Sequence, residues 1–130
     1  MNTPSKEDII RIKIAKARRT LYEAEKMIEF NFMAAGLNRL YYSCFYAATA
    51  LLFSKDIFTK THSGVKQLLG LHFITTGLIS LPLGKFYGEI FINRQGSDYD
   101  DFAEVDPELV KEFAIIAEQF VSNAQNILEL

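Results

Sequence analysis

The apolar residues of this chain recur at helical spacing almost from end to end. From about Ser5 to Phe30, Ile10, Ile14, Ala17, Leu21, Ala24 and Ile28 fall at alternating steps of four and three, the stripe of an amphipathic helix. Ser5 is placed to cap it, Glu7 and Asp8 suit its positive end, and Arg18 and Arg19 fall outside the stripe and read as solvated surface. A second helix is predicted from about Met33 to Ser54. It is apolar nearly all round (Leu37, Leu40, Tyr41, Phe45, Ala48, Leu51, Leu52, Phe53), which predicts a central position.

After a linker from Lys55 to Lys60, Thr61 is a natural N-cap for a third helix carrying Val65, Leu68, Leu69 and Phe73, weakened by Gly70 and ended by Gly77. Beyond Leu81 and Pro82, Phe86, Ile90 and Asn93 share a face of a fourth helix, with Gly96 as terminator. The acidic run Asp98, Asp100, Asp101 and Glu104 then reads as a solvated loop. Asp106 followed by Pro107 is a strong start signal, because Asp accepts free amide hydrogens and Pro fits the first helical position. The stripe Leu109, Phe113, Ile116, Phe120, Ala124 and Ile127 predicts a last helix packed on the first, the two terminal helices clamping a central pair. No strand-like alternation competes and there is no internal repeat, so the expected fold is all-α: an up-and-down bundle of four to five helices forming one domain over residues 1–130.

Composition narrows the class. With 49% apolar residues in 130, the chain can bury one proper core. Acidic and basic residues number 16 and 14, so no global field drives binding to polyanions, and any nucleic-acid contact must be local. Cys44, the one cysteine, precludes an internal disulfide and reads as a small buried residue of a reducing compartment. The polar start from Met1 to Asp8 does not look like a signal peptide, and the apolar stretches are too interrupted to span a bilayer. The expectation is a cytoplasmic protein with no membrane contact. His72 lacks a second ligand at zinc spacing, and neither a Walker phosphate loop nor a serine elbow occurs, so no metal or cofactor is expected.

Two segments carry candidate chemistry. Asn38, Tyr42 and Tyr46 share one helical face with Arg39 beside it, offering donors and flat rings suited to a nucleobase; an aromatic core stripe would look the same. Lys60, Thr61, His62, Ser63 and Gly64 open the third helix, where free amides and the dipole attract anions; equally, Thr61 is a plain cap and His62 bonds to the loop.

The runs Asn38-Arg39-Leu40-Tyr41-Tyr42-Ser43-Cys44-Phe45-Tyr46-Ala47-Ala48, Lys60-Thr61-His62-Ser63-Gly64-Val65 and Arg94-Gln95-Gly96-Ser97-Asp98-Tyr99 resemble the HEPN superfamily in order and spacing. The similarity covers about Ala15 to Leu128 and is greatest to the small prokaryotic HEPN proteins found beside a minimal nucleotidyltransferase. The resemblance implies a helical bundle that forms a homodimer, with polar groups of two subunits lining one cleft. Many active members of the superfamily are metal-independent ribonucleases with an Arg followed, after four to six residues, by a His.

Here Arg94 is present and no His follows. Asp98 and Tyr99 stand in those places, which resembles the Arg-to-Asp-Tyr variant of the nucleotidyltransferase-linked branch. The resemblance implies a toxin-antitoxin-like pair in which this chain binds RNA or a nucleotide around Arg94, with Lys60, His62, Asn38, Arg39 and Tyr42 as binding residues. It also implies that Tyr99 accepts a nucleotide from the partner nucleotidyltransferase. A metal-independent endoribonuclease toxin with Arg94, Asp98 and Tyr99 as its catalytic set, and a non-catalytic helical adaptor, are the alternatives. For the ribonuclease, Arg94 suits charge stabilisation at phosphate, whereas Asp98 and Tyr99 fill the role of proton acceptor poorly, one too acidic and the other too basic. On residue types alone, Arg94 and Asp98 could instead simply pair at a helix end with Tyr99 packed beneath them.

Overall fold

The computed structural model of the chain describes residues 3–99 and 104–130, and for 97–99 the backbone path alone. Five α-helices follow one another: α1 (Lys6–Glu29), α2 (Met33–Ser54), α3 (His62–Leu69), α4 (Leu81–Tyr99) and α5 (Pro107–Ile127). There is no strand among the described residues.

Local signals set the helix starts. Ser5 and Asp8 form a reciprocal capping box, each side chain accepting from the other's amide at 3.1 Å. Thr61 Oγ1 accepts from Gly64 N at 2.9 Å, and Asp106 Oδ1 from Glu108 N at 3.0 Å with Pro107 behind it. The α1–α2 reversal is short because Asn31, a residue that tolerates the left-handed region, adopts φ 67° there. A three-residue link between long helices forces them antiparallel.

Helix α2 is the hub, touching α1, α3, α4 and α5. It meets α1 through small residues: Ala17 and Ala24 on one side, Gly36, Ala47 and Ala50 among the buried positions of the other. Gly36 sits so near Ile28 that a Cβ added there would lie 2.6 Å from Ile28 Cγ1, so the close approach of the two axes depends on the missing side chain. The all-round apolarity of α2 is thus explained by neighbours on every side. It forms the centre alone, where the hydrophobic pattern predicted a central pair.

Four other expectations are corrected. Arg18 is not merely solvated: its guanidinium reaches Glu118 at 2.7 and 2.8 Å, Gln125 at 2.6 Å and Ser122 at 2.9 Å, tying α1 to α5. The buried face of α5 is Val110, Phe113, Ala117, Phe120, Val121 and Ala124, with Leu109, Ile116 and Ile127 only half-buried. The face is turned because α5 lies against α2 as well as α1. Gly70 neither breaks nor merely weakens the third helix; from Gly70 to Ile74 the chain widens into one turn of π-helix, closed by Thr75 N donating to Gly70 O at 2.9 Å. The reversal comes later, at Gly77 with φ 82°. Gly96, finally, does not end α4, which continues to Tyr99, so Asp98 stands on the helix and not in a loop. A single glycine costs a helix only about 1 kcal/mol, too little by itself to end one. Residues 100–103, with Asp100 and Asp101 of the acidic run, lie outside the described residues, while Glu104 is exposed and non-helical as expected.

No helix among the described residues is long and apolar enough to cross a membrane.

Candidate functional site

The site is built where α2, the start of α3 and the last turns of α4 meet. Tyr41 is its pivot. Its ring is fully buried, packed edge-on against Tyr42 at 5.3 Å and Phe91 at 6.0 Å, and stacked with Phe45 at 6.0 Å. Tyr87, from α4, closes the far side at 6.3 Å. Burial raises the Tyr41 phenol to about 12, against the opposing pull of Arg94, so the hydroxyl keeps its proton at all physiological pH.

Arg94 comes to this cluster from α4. It is only 8% exposed, with its guanidinium carbon 4.8 Å from the Tyr41 ring centre and 5.4 Å from that of Tyr42. Its Nη2 donates to Tyr42 Oη at 3.1 Å. A delocalised, weakly hydrated cation set against two aromatic rings is the form in which an arginine charge is held inside a fold at modest cost. The side chains of Asp98 and Tyr99, on the same helix, lie outside the described residues.

His62 enters from the opposite side, as the first residue of α3. Its Nδ1 shares a hydrogen bond of 2.7 Å with Tyr41 Oη, its ring stacks on Phe45 at 4.3 Å and 15°, and the edge of Tyr42 meets it at 5.6 Å. The expectation that His62 bonds to its own loop is therefore corrected: its partner is a tyrosine of α2, 21 residues earlier. Burial first, and the neighbouring Arg94 charge second, lower its pKa below the ordinary imidazole value, favouring the neutral ring.

This shift has a consequence for stability. Below about pH 6.5 the unfolded chain takes up a proton at this histidine before the folded chain does, so stability must fall as pH drops through that range and level off above it. Chemical denaturation of the wild type and of His62→Gln at about pH 5.5 and about pH 7.5 isolates the contribution. The wild type is expected to lose more stability on acidification than the variant; equal losses would rule the linkage out.

Tyr42 connects the cluster to solvent. It lines an open cleft of about 700 Å³ whose other walls are Asn38, Arg39 and Tyr46 on α2, together with Met27, Ala34 and Ala35. Asn38, Arg39, Tyr42 and Tyr46 are thus brought together on an accessible face, as their spacing predicted. Lys60 is exposed and is not among the residues lining that cleft. Lys16 lies 4.4 Å over the Tyr46 ring, a positive charge at the cleft's edge that sequence spacing did not single out. Also missed was the joining of Tyr41, Phe45 and His62 around Arg94; apolar periodicity marked Tyr41 and Phe45 as core and nothing more.

Cys44 is fully buried and burial pushes its thiol up to about 12, as fits a packing residue. Among the described residues no group of three or more His, Cys, Asp or Glu is placed to hold a metal ion.

A model of the HEPN domain matches residues 10–129. The chain belongs to the HEPN family. A UPF0332 protein of Thermotoga maritima is 34% identical over 124 residues, covering 95% of this chain and 94% of the relative. Two relatives in Methanocaldococcus jannaschii each carry the name "Putative toxin". One is 36% identical over 95 residues, 73% of this chain and 65% of its own length. The other is 28% identical over 129 residues, 99% of this chain and 95% of its own length. The residues matched to the HEPN domain include all of the Tyr41, His62 and Arg94 cluster and the cleft beside it.

Proposed function

We propose that this HEPN protein is one component of a toxin-antitoxin-like pair, that it binds RNA or a nucleotide at the cleft beside Arg94, and that it acts with a nucleotidyltransferase. The observation that carries this reading is the Arg94–Tyr42 hydrogen bond at the cleft wall. It connects a buried cation to an open groove that also offers the Arg39 cation, the Asn38 amide and the rings of Tyr42 and Tyr46. Cations for phosphate, flat rings for unstacked bases and an amide for base edges are what a single-stranded RNA site requires. The toxin names of the archaeal relatives support the same reading.

In this scheme the protein works as a homodimer in which two copies of the Arg94 region face a shared cleft. Tyr99, at the last position of α4, is the acceptor for nucleotide transfer by the partner enzyme.

Fluorescence anisotropy with a labelled single-stranded RNA tests the binding step. The wild type is expected to bind with an affinity that falls linearly in log–log form as salt rises, the mark of phosphate contacts. Absence of binding at low salt would refute RNA recognition at this cleft.

A further inference from the structure

Cleavage of RNA by its own 2′-hydroxyl needs a proton acceptor next to the cation that steadies the phosphate. The segment following Arg94 offers Asp98 and Tyr99, poorly matched to that task. The fold supplies an imidazole from elsewhere in the chain.

Four observations converge on His62. Its ring is clamped by Tyr41, Tyr42 and Phe45, so its orientation is set by three neighbours on one rigid helix. Its Nδ1 is occupied by Tyr41 Oη, and Nε2 makes no hydrogen bond among the described residues. Its backbone is pressed into place: a Cβ on Gly64 would overlap the hydroxyls of Thr59 and Thr61, so the turn that presents His62 depends on a glycine there. Tyr42 touches both the imidazole and the Arg94 guanidinium and itself lines the open cleft, so one ring joins both groups to the wall of that cleft.

We propose that His62, contributed by the start of α3 and not by the segment after Arg94, is the general base of a metal-independent RNA-cleaving site in which Arg94 and Tyr42 hold the scissile phosphate. The proposal rests on the RNA-binding reading above. In the working tautomer Nδ1–H donates to Tyr41 Oη and Nε2 carries the lone pair. Nε2 takes the proton of the ribose 2′-hydroxyl, and the 2′-oxygen forms its bond to phosphorus as the bond from phosphorus to the 5′-oxygen breaks. The products are a 2′,3′-cyclic phosphate and a 5′-hydroxyl. The departing 5′-oxygen takes its proton from water, and the proton on Nε2 returns to solvent, so nothing is oxidised or reduced and no proton is gained overall. The lowered proton affinity of His62 keeps it in the base form at neutral pH.

The test uses the full chain and a labelled single-stranded RNA in EDTA, with binding and cleavage measured separately. The wild type is expected to yield 2′,3′-cyclic phosphate ends, with kcat/KM rising through a pKa below about 6.5 to a plateau. His62→Gln is expected to lose about 100-fold or more in the cleavage rate measured at saturating RNA, where any change in affinity no longer enters. Added imidazole should partly restore cleavage by His62→Ala, a second readout should the Gln variant fail to fold. RNA bound but not cleaved by the wild type, cleavage by His62→Gln at the wild-type rate, or a rate flat from about pH 5 to about pH 8 would each overturn His62 as the base and leave the RNA-binding reading standing. A wild type that binds no RNA would take down that reading and this proposal with it.

Discussion

Replacing Tyr41 with alanine is expected to cost the fold about 3–5 kcal/mol, the range for deleting a large buried aromatic ring. The ring has no exposure to solvent and is surrounded by Tyr42, Phe45, Tyr87, Phe91 and His62, so no neighbour can collapse into the space without leaving its own packing. Against a typical total of about 5–15 kcal/mol, such a loss leaves little margin. Tyr41→Phe separates the hydroxyl from the ring. It retains the packing and removes only the bond to His62, for an expected cost of about 1 kcal/mol. Urea unfolding followed by circular dichroism measures both. A loss below about 1 kcal/mol for Tyr41→Ala would mean that the ring is not the pivot described above.

Arg94→Ala is expected to weaken single-stranded RNA binding by about tenfold or more and to reduce the slope of log affinity against log salt by about 1, the signature of one lost phosphate contact. Arg94→Lys should recover little of the affinity. An ammonium on a flexible stem lacks the planar, forked set of donors with which the guanidinium both rests against the Tyr41 and Tyr42 rings and donates to Tyr42 Oη. Arg94→Ala also removes the charge that helps keep His62 neutral, so the His62 pKa, read by NMR titration, should move up toward the ordinary value. Unchanged affinity and salt slope in Arg94→Ala would place RNA recognition elsewhere on the molecule.

The two expectations draw on different kinds of information. The Tyr41 effect follows from packing that periodicity already hinted at, since Leu37, Leu40, Tyr41 and Cys44 recur at helical spacing and all prove buried. The Arg94 effect depends on a pairing across 52 residues that no local pattern encodes. The resemblance to HEPN proteins singled out Arg94, and only the structure shows that its charge rests on two tyrosine rings of α2.

The same division runs through the whole molecule. Where the helices start could be read directly, because a cap is a contact between residues two or three apart: Ser5 with Asp8, Thr61 with Gly64, Asp106 with Glu108. The inward stripe of α1 was legible too, since that helix buries one face. The local pattern and the structure part where several helices compete for a face and where a weak local preference costs too little to end a helix. The core side of α5 is turned from the simplest stripe because α5 serves two neighbours, and Gly96 stays helical.

Helix class and most helix starts are therefore properties of short stretches of this chain, because they rest on interactions within one or two turns. The meeting of His62 with Tyr41 and Arg94, and the rise of Tyr42 from an aromatic in a stripe to the bridge between a buried cation and an open cleft, required the third dimension. Those residues lie on three separate helices, and their mutual distances are set by how α3 and α4 pack on α2, which no local pattern encodes.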